Sequence, residues 1–178
     1  SNDNNSSAAN FDGEGYSYSA MQLAQAGYTP GASVTVNGAT YTWPAVQPGV
    51  SDNIQASGQT ITTPNAAAGA SHLTFLGSAS NGDTAGAVTI TYTDGSTQSA
   101  PIGFSDWTLA AGSEPVAFNN QVATKLSYRN SGGAPDPTAT YLFTTAPISL
   151  NTSKTVASIT LNSAMNQGAI HIFAFTIA

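Results

Sequence analysis

The chain is predicted to be all-β: a two-sheet antiparallel sandwich of jelly-roll or galactose-binding type, with about eleven strands and one short helix near residues 18–26. Three observations carry this. Strand-sized segments alternate apolar with small polar residues, Asn-Gly and Asp-Gly pairs separate them, and the turn signals recur about every 8–12 residues. No repeat of fixed period is visible, which disfavours a propeller or solenoid. Residues 1–10 (SNDNNSSAAN) read as a flexible polar leader, and 11–178 as a single sandwich domain with no internal linker.

Each element has a local reason. The only good helix candidate is the run from Ser19 to Gly27. Ser17 or Ser19 can cap it, Ala, Met, Gln and Leu favour it, and Gly27 can close it in the left-handed region. Ser33–Trp43 is the clearest hairpin: period-2 β-formers flank Asn37-Gly38, a pair that accepts the positive φ angles of a type I′ turn. Pro44–Asn53 (PAVQPGVSDN) follows as a loop. Strands are then expected at Gln59–Thr63, His72–Gly77, Ala87–Thr93, Thr97–Phe104, Val116–Phe118, Ala123–Tyr128, Thr138–Thr144, Thr155–Leu161 and Ala169–Ile177. Thr93–Ser96 is a second hairpin turn, and 131–137 is expected to be a long surface loop. In the last strand His171, Phe173 and Phe175 are expected on one face, with Ile170 and Ile172 on the other.

Composition excludes several functions. Charged residues are 7% of the chain, against roughly 25% in an average soluble protein, yet mean hydropathy is near zero because Ser, Thr, Asn, Gln and Gly take their place. Such a surface is usual in secreted bacterial β-proteins, so a secreted, extracellular location is expected. Net charge is −6, with only Lys125, Arg129 and Lys154 as cations. A groove that follows phosphates needs several basic residues on one face, so nucleic acid is not an expected partner. No apolar run reaches the roughly 18 residues that span a bilayer, so no membrane insertion is expected. The absence of cysteine removes disulfides, thiolate metal sites and cysteine nucleophiles together.

Reactive groups are sparse. Nine carboxylates are spread along the chain, and no pair is marked by spacing as the two facing acids of a glycosidase. Asp83 and Asp94 sit in turn sequences. His72 and His171 lie in strand-like segments, where a hydrogen-bonded histidine in or beside the core is the expected state. The chain is therefore not expected to be an enzyme. Asp12-Gly13-Glu14-Gly15 places two hard oxygen ligands on a glycine-freed backbone, the donor type Ca²⁺ takes, so Asp12 and Glu14 are candidate ligands of a structural calcium ion. Sugar binding needs aromatic faces and groups that grip hydroxyls. Tyr16 and Tyr18, in a Gly/Ser segment, are expected to be exposed for stacking, with Trp107 beside Asp106 and the loop pair Asp52-Asn53 as further candidates. For Trp43 and Trp107 the favoured reading is that they cap the core, as large aromatics at strand ends usually do.

Asn10–Ala20 (NFDGEGYSYSA) resembles an accessory domain appended to secreted bacterial glycoside hydrolases and related exoenzymes. The likeness continues through Thr29–Ala32, Thr42-Trp43-Pro44, Pro48-Gly49, Asp52-Asn53 and Gly58–Ile61. It returns at Tyr92–Ser96, Phe104–Trp107 and from Lys154 to Phe173. This resemblance implies a β-sandwich module that binds carbohydrate beside a catalytic domain, and it brings no ligand residues with it. The chain is expected to depart from that setting by standing without a catalytic domain.

The function expected from these readings is a non-catalytic extracellular module that binds glycan through Tyr16, Tyr18, Asp52, Asn53, Asp106 and Trp107. An alternative is a self-assembling structural subunit of a filament or surface layer, with copies of itself as partners. Its sheet edges lack protective lysines, and the polar leader could be donated as a strand to a neighbour.

Overall fold

A computed structural model describes residues 1–8, 10–64 and 66–178; Ala9, within the leader, lies outside the described residues. The strands are β1 (Tyr16–Tyr18), β2 (Ser33–Val36), β3 (Ala39–Thr42), β4 (Ile54–Gln55), β5 (Thr60–Thr62), β6 (His72–Ser80), β7 (Thr84–Tyr92), β8 (Thr97–Phe104), β9 (Gln121–Leu126), β10 (Arg129–Ser131), β11 (Ala134–Asp136), β12 (Thr140–Thr144), β13 (Ile148–Ser149), β14 (Val156–Leu161) and β15 (Ala169–Ile177). A short helix, α1 (Ala20–Gln25), follows β1, and a single turn, α2 (Leu109–Gly112), follows β8.

Two antiparallel sheets form the sandwich, in the orders β4-β15-β6-β12-β9, with β13 also on β6, and β5-β14-β7-β8. Their inner faces enclose the main core: Leu73, Phe75 and Ala79 of β6 and Ile170 and Ile172 of β15 meet Val88 and Ile90 of β7, Ile102 and Phe104 of β8, and Ile159 and Leu161 of β14. The β-sandwich class is as expected, with additional short strands that the sequence does not mark.

The outer face of the larger sheet is also covered. β1, α1 and the hairpin β2–β3 lie over it and enclose a second core of Tyr18, Leu23, Tyr28, Tyr41, Trp43, Leu76, Trp107, Leu142 and Phe173. Polar bonds tie this layer to the sheet: Tyr41 Oη donates to Thr74 Oγ1 (2.9 Å), and Tyr18 Oη to the Tyr141 carbonyl (2.7 Å). The molecule thus has three layers and two cores.

Several expectations need correction. A β-bulge at Phe173 places Ile172 opposite Gly77 but Ala174 opposite Leu76. The extra residue reverses the alternation. Phe175 therefore packs with Ile170 and Ile172 on the main core, while Phe173 and His171 face the outer layer. Val116–Phe118 forms no strand, because Phe118 and Asn119 both have φ of 54° and the Phe118 ring lies against Gly103 instead. The expected loop 131–137 is the hairpin β10–β11 turned by Gly132-Gly133, and β10 pairs with β1 on its other edge.

Other local readings hold. Asn37 and Gly38 have φ of 51° and 81°, as a type I′ turn requires. Ser19 caps α1 by accepting from Gln22 N (3.1 Å), and Gly27 follows with φ of 90°. The leader folds onto its own domain rather than trailing from it. Asp3 accepts from Ser19 Oγ (2.6 Å), Met21 N (3.0 Å) and Tyr128 Oη (2.8 Å), and Ser1 Oγ lies 2.7 Å from Ser17 Oγ. Leu109, Ala110 and Ala111 of α2 take φ of 51°, 47° and 57°, a left-handed turn that costs roughly 1–2 kcal/mol per non-glycine residue. Asp106 holds it, its Oδ1 accepting from Thr108 N (2.8 Å), Thr108 Oγ1 (2.6 Å) and Ala110 N (3.3 Å).

Candidate functional site

Between β3 and β4 the chain runs from Trp43 to Asn53 with no regular structure. Pro44 and Pro48 withhold backbone donors and favour this path over a strand. The loop is roughly twice the median length of a connection in a compact domain. Here it arches over the outer layer and closes a cavity of about 330 Å³ against α1 and β1. Phe11, Tyr18, Leu23, Tyr28 and Trp43 line the apolar side, and Asn10, Gln47, Ser51, Asp52 and Asn53 the polar side. The aromatic rings brace one another: Tyr28 meets Trp43 edge-on with centroids 5.1 Å apart, and Trp43 stacks on Phe173 at 4.8 Å.

Asp52 and Asn53, both half-buried, head a polar chain that runs inward to the buried His171 and Ser80. Asn53 Nδ2 donates to Asp52 Oδ1 (3.1 Å), and Asn53 Oδ1 lies 2.9 Å from His171 Nδ1. The other ring nitrogen, Nε2, lies 3.0 Å from Ser80 Oγ. Asn53 Oδ1 can only accept, so His171 carries its proton on Nδ1 and Nε2 accepts from Ser80. Phe11 covers the imidazole with ring centroids 4.0 Å apart. Burial pushes the His171 pKa down to about 4, so the ring is neutral at physiological pH. Burial likewise raises the Asp52 carboxyl above its ordinary value. A groove of about 520 Å³ on the far side of the same pair is lined by Thr40, Thr42 and Pro44 of the hairpin side, Ile61 of β5, and Phe173–Thr176 of β15.

The model of the AziU2-like beta-sandwich domain family matches residues 1–178. The chain belongs to this family. No curated protein matches it. Family membership agrees with the observed sandwich and, in this AziU2-like domain, includes the leader within the matched span.

The residues expected to bind ligand divide into those at the cavity and those committed elsewhere. Tyr18, Asp52 and Asn53 line the cavity of the AziU2-like domain together. Tyr18 is not the exposed stacking platform expected: it is 3% exposed, and its hydroxyl bonds Ser78 and the Tyr141 carbonyl. Trp107 is buried in the second core, as its core-capping reading allows. Asp106 is buried, with Oδ1 given to the α2 turn and Oδ2 accepting from Gly82 N (3.1 Å). Tyr16 is half-buried, and the Arg129 guanidinium lies 3.5 Å above its ring, occupying that stacking face. Long-range packing, not local composition, decides these four.

The Asp12–Gly15 segment closes on itself. Asp12 Oδ1 accepts from Glu14 N (2.8 Å) and Tyr16 N (3.2 Å), and Asn10 Oδ1 from Gly15 N (2.7 Å). The Asp12 carbonyl accepts from Asn81 Nδ2 (2.9 Å). Among the described residues no group of three or more His, Asp or Glu side chains is placed to share a metal ion. Asp12 Oδ1 thus already serves the turn, and Glu14 is the exposed carboxylate of the segment.

Sequence reasoning missed Asn10, Gln47 and Phe11 as lining residues and His171 as the support of Asn53. The signal that could have found them is the Pro-rich loop itself, which is longer than most connections.

Proposed function

We propose that this AziU2-like domain is a non-catalytic, extracellular module that binds a glycan-like ligand in the cavity under the 43–53 loop. The observation that supports this most is the composition of the cavity wall: an aromatic and aliphatic floor opposite a rim of carboxamides and one carboxylate. Such walls suit sugars, whose C–H faces lie on apolar surface while their hydroxyls bond amides and acids. Asp52 and Asn53 are the hydroxyl-binding pair, and His171 acts through Asn53 by fixing which way its amide points. A non-catalytic role fits the commitments of the other acids. Asp106 is spent on a turn and Asp94 on Lys154 (2.9 Å), so neither is free to face Asp52 across a cleft.

Calorimetric titration with a panel of soluble oligosaccharides tests the reading. Binding by at least one, weakened about tenfold or more by Asn53→Ala, is expected from the loss of one or two hydrogen bonds. Absence of binding across the panel would sink it. Repeating the titration with calcium and with chelator separates a calcium role carried by Glu14 and backbone carbonyls from none.

Self-assembly is the second reading, and one feature favours it. β4 pairs with β15 at His171 and Ile172, which among the described residues leaves the edge from Phe173 onward without a strand partner along the second groove. Light scattering decides between them: the binding reading expects monomers, whereas an assembling subunit would give large species that Thr176→Lys disperses.

A further inference from the structure

We infer that the cavity under the 43–53 loop takes a ligand bearing a positively charged nitrogen. In the glycan reading, on which this inference rests for the class of ligand, that means an amino sugar.

The argument starts from charge placement. Asp52 is the sole charged side chain lining the cavity among the described residues. The basic side chains are all held elsewhere. Lys154 pairs with Asp94, Arg129 pairs with Asp136 (3.0 Å) and covers Tyr16, and Lys125 lies over the Tyr141 ring. Asp52 Oδ1 accepts from Asn53, while its Oδ2 has no hydrogen-bond donor among the described residues. The cation nearest in effect is the Ser1 ammonium, which donates to the Tyr18 carbonyl (2.7 Å) and offsets only part of the cost of burying Asp52, whose pKa is still raised by that burial. A cationic ligand offsets the rest.

The remainder of the wall suits such a ligand. Phe11, which is half-buried, brings an aromatic ring to the wall, and aromatic rings attract cations by their quadrupole. The rim amides of Asn10, Gln47 and Asn53 serve neighbouring hydroxyls. A divalent metal ion fits less well, because calcium sites draw their affinity from the number of charged ligands, and Asp52 is the sole carboxylate on the wall among the described residues. An anionic ligand would meet Asp52 with no basic side chain among the described residues of the wall to offset it.

The test is calorimetry on the full chain at pH 6.5 with four probes: glucosamine trimer, N-acetylglucosamine trimer, butylammonium and calcium chloride. The chain is used as it stands and with residues added ahead of Ser1, because an ammonium at Ser1 is drawn to the same carboxylate. Glucosamine trimer should bind at least tenfold more tightly than its acetylated counterpart. Asp52→Asn should abolish that difference, and rising salt should shrink it. Circular dichroism checks that this near-isosteric variant folds, and NMR shifts at Trp43 locate the probe.

Equal binding of the two trimers, insensitive to Asp52→Asn, overturns the inference and leaves the glycan reading standing. Butylammonium binding that needs Asp52, with neither trimer bound, supports the inference and removes the glycan reading. Calcium binding that needs Asp52, without amine binding, overturns the inference in favour of a metal. No binding by any probe overturns both.

Discussion

His171 shows how one residue can tie binding geometry to stability. It is 4% exposed, its imidazole is neutral, and both nitrogens are used. Protonation would turn Nε2 into a donor and require Ser80 Oγ to accept where it now donates, while burial penalises the charge. The pKa falls from 6.5 to about 4 on folding, so the unfolded chain binds the proton more readily. Stability from this group is therefore full above pH 6.5, declines between pH 6.5 and 4, and is flat below. The loss is at most about 3 kcal/mol, at 1.36 kcal/mol per pH unit. Asp52 acts oppositely: its raised pKa makes the folded state gain stability as the carboxyl is protonated. Denaturant midpoints measured from pH 7 to 4 should fall less steeply in His171→Gln than in the native chain. Parallel curves would show that His171 contributes nothing to acid sensitivity. The role of His171 in a hydrogen-bonded setting was legible from its strand-like surroundings. Its partners were not, because Asn53 and Ser80 meet it only through long-range strand pairing.

At the scale of elements, turns were the most legible parts because their chemistry is local. Asn37-Gly38 and Asp94-Gly95 need positive φ at Gly wherever the rest of the chain goes. The bulge at Phe173 was not legible, since it exists only relative to the partner strand. It works together with Gly77: a β-carbon there would fall onto the His171 carbonyl oxygen and lie 3.0 Å from the Phe104 ring. Gly77→Ala must therefore push β15 and Phe104 aside, at a cost of roughly 1–3 kcal/mol typical of overpacking. Calorimetry should show the melting temperature lowered by several degrees. An unchanged value would mean that the sheet yields freely at this point. The Val116–Phe118 segment teaches the converse. Its apolar residues looked like a strand, but Phe118 serves as a lid on Gly103 with a left-handed backbone.

For the whole molecule, alternating patterning identified the sandwich because strands such as β7, β8 and β14 show one apolar face. It did not reveal the third layer. Tyr18, Tyr28, Trp43 and Trp107 could be surface platforms or a second core on composition alone, and only the arrangement of β1, α1 and the β2–β3 hairpin decides for burial. Asp52 and Asn53 were recognisable as a polar pair on a loop, whereas the cavity they line depends on where that loop lies over α1.

The outer layer is built from a three-residue strand, a six-residue helix and a four-residue hairpin pair, while β6, β7 and β15 of the sandwich each run nine residues. Segments this short cannot persist without the sheet beneath them, so they form the lower rung of a ladder of opening events. Amide hydrogens of Leu23, Tyr41 and Trp43 should exchange with deuterium before those of Phe75 and Ile90, at a protection level below that of global unfolding. A molecule held in the cavity would touch only the layer that opens first, and so would slow exchange there while the inner sandwich kept its pace.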